Sequence, residues 1–218
     1  MHHGTSPRGD GGGPPPAATL WGMRVALASQ SPRRQALLER AGVSIEARWS
    51  PDVDETWRDG EHPVAYARRV AHAKAREPRP PGTMVPTAPV LAADTTVWIR
   101  PDAPPLGKPA DAGEARHMLA LLRAARRHMV TTAYALVSAD GRLTVLEHES
   151  AQIWITPPQG PRLDRYLSGT GWRDKAGAYG IQEDAGAWVH RIEGSYDAVV
   201  GLPVAQVLDA LRRLEEAP

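Results

Sequence analysis

The chain reads as an α/β protein built on an elongated mixed sheet flanked by helices. Three observations predict this class. Short apolar, strand-like runs alternate with segments of helical periodicity over most of the length. One long apolar run, 90–99, has the look of a central strand and carries an acid in its middle, Asp94. Two strand-like segments, 130–138 and 143–156, follow one another with only an Asp140-Gly141 turn between them, which makes the sheet mixed and not wholly parallel.

The elements follow in order. Residues 1–22, with Gly11-Gly12-Gly13-Pro14-Pro15-Pro16, hold too little apolar material to order themselves and read as a disordered extension. They lack the continuous apolar stretch of a secretory signal. Residues 23–218 form the domain. A short buried strand, Arg24-Val25-Ala26-Leu27-Ala28, leads into a helix with Ser31 as N-cap and Pro32 at its first position. Leu37, Leu38 and Ala41 give that helix its apolar face, and Gly42 stops it. A second strand is expected at 45–49 and a helix at 63–77, with Val64, Ala67, Val70, Ala71 and Ala75 inward. After the Pro-rich stretch to Pro89 and the central strand, Asp111 and Glu114 have the spacing of a capping box, and Met118, Leu119, Leu121 and Leu122 are the expected core contacts of that helix. A short helix at 162–167, a Gly-rich stretch at 169–186, a strand at 187–192 and a last helix from Pro203 complete the order.

Bulk properties exclude several functions. The 26 basic and 25 acidic side chains leave a net charge of +1, so no global field draws the chain to nucleic acid or an anionic membrane. There is no cysteine, which removes disulfides, thiolate metal sites and thiol nucleophiles and is compatible with a reducing cytoplasm. No apolar run approaches the roughly 20 residues of a membrane span. Of the 26 basic residues only Lys74, Lys108 and Lys175 are lysines. Where surface charge is otherwise written as Arg, three lysines mark positions that need a compact ammonium.

Five segments could carry chemistry. In Ser29-Gln30-Ser31-Pro32-Arg33-Arg34 a strand runs into a helix N-terminus, where free N–H groups and the helix dipole favour an anion. Two arginines there oppose the dipole, and an anion between them would resolve the conflict. Asp94, among aliphatic neighbours, costs several kcal/mol unless something compensates it, and metal coordination or catalysis are the usual compensations. The acidic run Asp52-Val53-Asp54-Glu55 could supply a second carboxylate for magnesium. Leu106-Gly107-Lys108-Pro109 offers a lysine to a phosphate, without being a Walker motif. Asp174-Lys175-Ala176-Gly177-Ala178-Tyr179-Gly180-Ile181-Gln182 combines close backbone approach, a charge and an amide able to read a base edge. The histidines, His128 among them, have no ligand spacing and read as surface or capping residues; the tryptophans read as core or loop anchors.

LASQSPRRQALL, AADTTV, LGKP, DKAGAYGIQ and IEGSYDAVVGLP occur here in the order and spacing of the Maf family, which the chain resembles from about Met23 to Leu214. The resemblance implies a fold like that of the inosine triphosphate pyrophosphatases, two lobes with a central cleft, and hydrolysis of a nucleoside triphosphate between its α and β phosphates. Asp94 falls on the family's proton acceptor, and Glu55 on an acidic pair that holds a metal with Asp94. The metal is a divalent cation, Mg2+ first, with Mn2+ or Co2+ as substitutes. Arg33, Thr95 and Gln182 fall on the positions that separate the subgroups, and all three side with the branch acting on dTTP and UTP. The 7-methyl-GTP branch has Trp and Glu in place of this Arg and Gln. Ser29, Arg34, Lys74, Lys108 and Lys175 are the phosphate-binding candidates. Removal of excess or non-standard nucleotides, cytoplasmic location and a homodimer are further family-level expectations. A purine or modified-nucleotide pyrophosphatase and a non-catalytic regulator of cell division stand as alternatives. Ala198 and Glu183 depart from the family's usual Asn and Gly, and neither is expected to touch the chemistry.

Overall fold

The structure, a computed structural model, describes residues 22–142 and 144–216. The expected disordered extension therefore lies, but for Gly22, outside the described residues, as does Leu143 at the start of one expected strand.

Six strands form one sheet in the order β2-β1-β3-β4-β5-β6. They are β1 (Arg24–Ala28), β2 (Ser44–Trp49), β3 (Val90–Trp98), β4 (Arg127–Val137), β5 (Thr144–Ile155) and β6 (Val189–Glu193). β1 runs parallel to β2 and β3, whereas β3 to β6 are antiparallel throughout, so the sheet is mixed as expected. The helices are α1 (Pro32–Arg40), α2 (Pro63–Arg76), α3 (Ala112–Ala125), α4 (Pro161–Ser168), α5 (Tyr196–Val200) and α6 (Val204–Glu215). No described helix is long and apolar enough to cross a membrane.

Local sequence accounts for most ends. Ser31 accepts from the Arg34 N–H at 3.5 Å and Pro32 opens α1. Asp111 Oδ1 accepts from the Glu114 N–H at 2.8 Å, but the Glu114 carboxylate reaches back to the Ala110 N–H and not to that of Asp111, so the capping box closes one residue early. Two calls shift. A 3-10 turn takes Asp184–Trp188, so β6 starts at Val189 and not at 187. Leu121, expected in the core, faces out with 38% of its surface exposed. The short helix α5 was not expected; its five residues are too few for a readable period.

Two cores lie along the one sheet. In the first, α1 and α6 cover Val25, Leu27, Leu91, Ala93, Tyr134 and Leu136. In the second, α3, α4 and the segment around Tyr179 cover Val97, Val130, Ile153 and Ile155. The opposite face of the strands is lined by Ala26, Ala28, Ala92, Ala133 and Ala135, and α2 packs there through Ala67, Ala71 and Ala75. Small side chains on both sides bring the helix axis close to the sheet.

One histidine overturns its expectation. His128 on β4 is buried, not superficial, and its Nε2 lies 2.8 Å from the Tyr179 hydroxyl. Its Nδ1 has no partner among the described residues. Burial pulls its pKa from the ordinary 6.5 down to about 4. Between those two values the unfolded chain binds the extra proton and the folded chain does not. His128 therefore contributes stability that is fully present above pH 6.5 and is lost as pH falls toward 4. His128→Gln is expected to flatten the pH dependence of the unfolding free energy across this window by on the order of 2–3 kcal/mol. Urea unfolding of both proteins at a series of pH values measures it, and parallel curves would remove the assignment.

Candidate active site

β1 ends at Ala28 and pairs with β3 only at Val90 and Leu91, while β3 runs on to Trp98. The next contact on that edge is an isolated bridge from Val97 to Leu106. Between them the edge of β3 at 92–96 is unpaired by any described strand. A cavity of about 960 Å³ opens there. Val200 of the first core and Val97, Val130 and Tyr179 of the second meet in its walls.

All ten residues singled out in the sequence line this cavity: Ser29, Arg33, Arg34, Glu55, Lys74, Asp94, Thr95, Lys108, Lys175 and Gln182. Strand alternation sends neighbours to opposite faces. Asp94 points to the α2 side, and Thr95 to the side of α1 and α5.

On the α2 side, Asp94 is buried, with 9% of its side chain exposed. Oδ1 accepts from Lys74 Nζ at 2.8 Å and Oδ2 from Thr96 Oγ1 at 3.2 Å. The same Nζ reaches Glu55 Oε1 at 3.0 Å. Lys74 was expected to face phosphate; it sits between two carboxylates instead. Tyr66 donates to the Glu55 backbone carbonyl at 2.9 Å and anchors the loop before α2. Burial, with the charges of Asp94 and Glu55, pushes the Tyr66 phenol up to about 12, so it stays a donor. Among the described residues no group of three or more His, Asp or Glu converges.

On the other side, Arg34 is held at three points. Nε donates to the Gly201 carbonyl at 2.9 Å, Nη1 to Ser29 Oγ at 3.2 Å and Nη2 to Thr95 Oγ1 at 3.1 Å. Burial lowers its pKa, Asp94 opposes the fall and Arg33 adds to it; a guanidinium stays charged regardless. Thr132 donates to the Ala198 carbonyl at 2.6 Å, so Thr95, 2.8 Å from Thr132, is the donor in that pair. The Thr95 proton is therefore committed, and the residue orients Arg34. Ser29 accepts from Arg34 and from the Ser31 N–H, which leaves its own proton for an anion. The Ala198 contact is made through its backbone, so the missing Asn side chain does not disturb it.

Arg33 and Lys108 line the cavity with no ion-pair partner among the described residues, and Gln182 is exposed at its rim. Lys175 pairs with Glu183 at 2.8 Å. This corrects the expectation that Glu183 stands clear of the proposed chemistry. Tyr66 and Arg173 also line the cavity and went unread in the sequence. Arg173 was one arginine among many, and nothing local marked Tyr66.

A backbone edge left open, a buried acid on one face of it and an anchored arginine on the other coincide with the segments matched by a family model described as Maf-like protein, residues 24–214. This chain belongs to the Maf family. Among its relatives, a protein of Chromobacterium violaceum named dTTP/UTP pyrophosphatase is 42% identical over 187 residues, which span 83% of this chain and 89% of the relative. One of Burkholderia pseudomallei with the same name is 43% identical over 195 residues, spanning 86% and 92%. A solved HAM1 protein from Coxiella burnetii aligns loosely, with 22% identity and a TM-score of 0.45 over 89% of this chain and 100% of its own.

The Maf cleft sets a stability test. Lys74→Met leaves the Asp94 charge without its nearest cation and is expected to cost about 2–3 kcal/mol at neutral pH, somewhat below a fully dry pair because the cavity admits water. Adding Asp94→Asn should return part of that loss. Denaturant unfolding of the single and double variants gives the coupling; strictly additive costs would deny it.

Proposed function

We propose that this chain hydrolyses the pyrimidine nucleoside triphosphates dTTP and UTP to the monophosphate and pyrophosphate, a reaction suited to clearing excess or non-standard nucleotides. One observation carries the reading: a buried carboxylate, Asp94, opens onto a cavity whose other walls hold Arg33, Arg34, Lys108, Arg173 and Lys175. A polyanion would sit beside a base there. The two relatives named dTTP/UTP pyrophosphatase support the substrate class. So does the set Arg33, Thr95 and Gln182, which matches the pyrimidine branch and lacks the Trp and Glu of the 7-methyl-GTP branch.

In this reaction water attacks the α-phosphorus, the bond from that phosphorus to the bridging oxygen breaks, and pyrophosphate leaves. Asp94 accepts the proton of the attacking water. Lys74 holds Asp94 Oδ1 at 2.8 Å and fixes the carboxylate at the cavity wall. Ser29, Arg33, Arg34, Lys108 and Lys175 neutralise the phosphates and the charge growing on the leaving group. Thr95 acts through Arg34, keeping its fork aimed. Gln182, with amide donor and acceptor both open to the cavity, reads the pyrimidine edge.

Glu55 and Asp94 fit a divalent cation. Their oxygens already converge on one cation, the Lys74 ammonium, and one or two carboxylates completed by phosphate and water oxygens are what Mg2+ takes. Such an ion, Mg2+ with Mn2+ or Co2+ as substitutes, supplies Lewis acidity at the phosphate when bound.

The test is a panel of nucleoside triphosphates with magnesium, scored for pyrophosphate against orthophosphate. Pyrophosphate from dTTP and UTP is expected; its absence, or faster release from purines or 7-methyl-GTP, would overturn the proposal. Asp94→Asn is expected to lower kcat by about 10²–10⁴ while nucleotide still binds, as titration calorimetry would record; near-normal turnover would release Asp94 from the role. Gln182→Glu should reduce kcat/KM for UTP by about tenfold, within the roughly 1–3 kcal/mol of a base-edge contact. An unchanged substrate profile would show that the base is read elsewhere.

A further inference from the structure

Lys175 is only 12% exposed in its side chain, and its charge is engaged: Nζ lies 2.8 Å from Glu183 Oε1. Gly180 leaves room for the pair as it stands. The lysine stem lies across Gly180, where an added Cβ would come within 2.6 Å of Lys175 Cε and 3.2 Å of Glu183 Cδ. Glycine at 180 therefore lets the two side chains meet over the rim of the cavity. Glu183 is itself 44% exposed and lies next to the base-reading Gln182. It has no part in the proton transfer assigned to Asp94. Lys108, whose neighbour Gly107 accepts from the Gly177 N–H at 3.0 Å, has no such acidic partner among the described residues. One phosphate-directed cation thus stands free and another is held by an acid of the chain.

We infer that Glu183 is an affinity-determining residue of the cleft: it acts as an internal counter-ion that a polyphosphate must displace from Lys175. The inference rests on the reading that the cavity takes a triphosphate. In the free chain the carboxylate neutralises Lys175 and keeps the stem packed over Gly180. When phosphate oxygens arrive they compete with Glu183 for the ammonium, and the displaced carboxylate adds repulsion toward the bound anion. Glu183 thereby weakens binding to the ground state and the transition state alike, so its effect belongs in KM. Lys74 differs, because its acidic partners belong to the reaction itself.

The experiment compares the full chain with Glu183→Gln and Glu183→Ala. The probe is inorganic tripolyphosphate, titrated by calorimetry, with KM and kcat for UTP measured in parallel and melting curves to verify the fold. Both variants are expected to bind tripolyphosphate about threefold to tenfold more tightly, on the scale of a partly exposed ion pair and the lost repulsion together. Their kcat/KM for UTP should rise by a similar factor, carried by KM. An unchanged or weaker tripolyphosphate Kd overturns the inference, as does a gain confined to kcat. If the wild-type chain turns over no pyrimidine triphosphate while the variants still tighten on tripolyphosphate, the substrate reading fails and the counter-ion role stands.

Discussion

A carboxyl group withdrawn from water needs a partner, and the packing of α2 on the sheet supplies Asp94 with a cation at 2.8 Å. The cation comes from α2, 20 residues earlier in the chain. Lys74 reaches the acid because Ala67, Ala71 and Ala75 on the helix meet Ala92, Ala133 and Ala135 on the sheet. Larger residues there would hold the helix away. Two groups withdrawn from water at a cavity wall gain little stability over a well-packed apolar pair.

The second constraint is the length mismatch between β1 and β3. Because β1 stops at Ala28, the middle of β3 has an open edge, and residues from both faces of the sheet share one cavity. Asp94 and Thr95 are adjacent in sequence and do opposite jobs. One face carries the acid with its ammonium. The other carries a hydrogen-bonded chain from Arg34 through Thr95 and Thr132 to the Ala198 carbonyl, which ties α1, the sheet and α5 together. The cavity lies between two cores, with Val200 of one and Val97, Val130 and Tyr179 of the other in its walls.

Legibility in the sequence was uneven for physical reasons. Long periodic elements such as α2, α3 and the β4–β5 hairpin were readable because burial repeats every turn or every second residue. The start of β6 was not, since a 3-10 turn and an edge strand leave no distinct pattern. His128 was misread because burial of a polar ring depends on a partner, Tyr179, 51 residues away. Every site residue named from motifs does line the cavity, yet which hydroxyl donates and which lysine is already paired could not be seen. Those are properties of contacts between segments, as Glu183 shows: a departure from the family's usual Gly that a motif comparison passes over, and a direct partner of Lys175.

By itself the sequence determined the class of fold, the order of the longer elements and most of the charged groups that meet at the cleft, since apolar period, caps and motif order are local and survive reading one residue at a time. Tertiary structure alone decided how those groups are paired: Lys74 between two acids, Thr95 behind Arg34, Lys175 under Glu183. Pairing depends on distances of a few ångströms between elements far apart in the chain, and electrostatic and hydrogen-bond energies weaken steeply over that range.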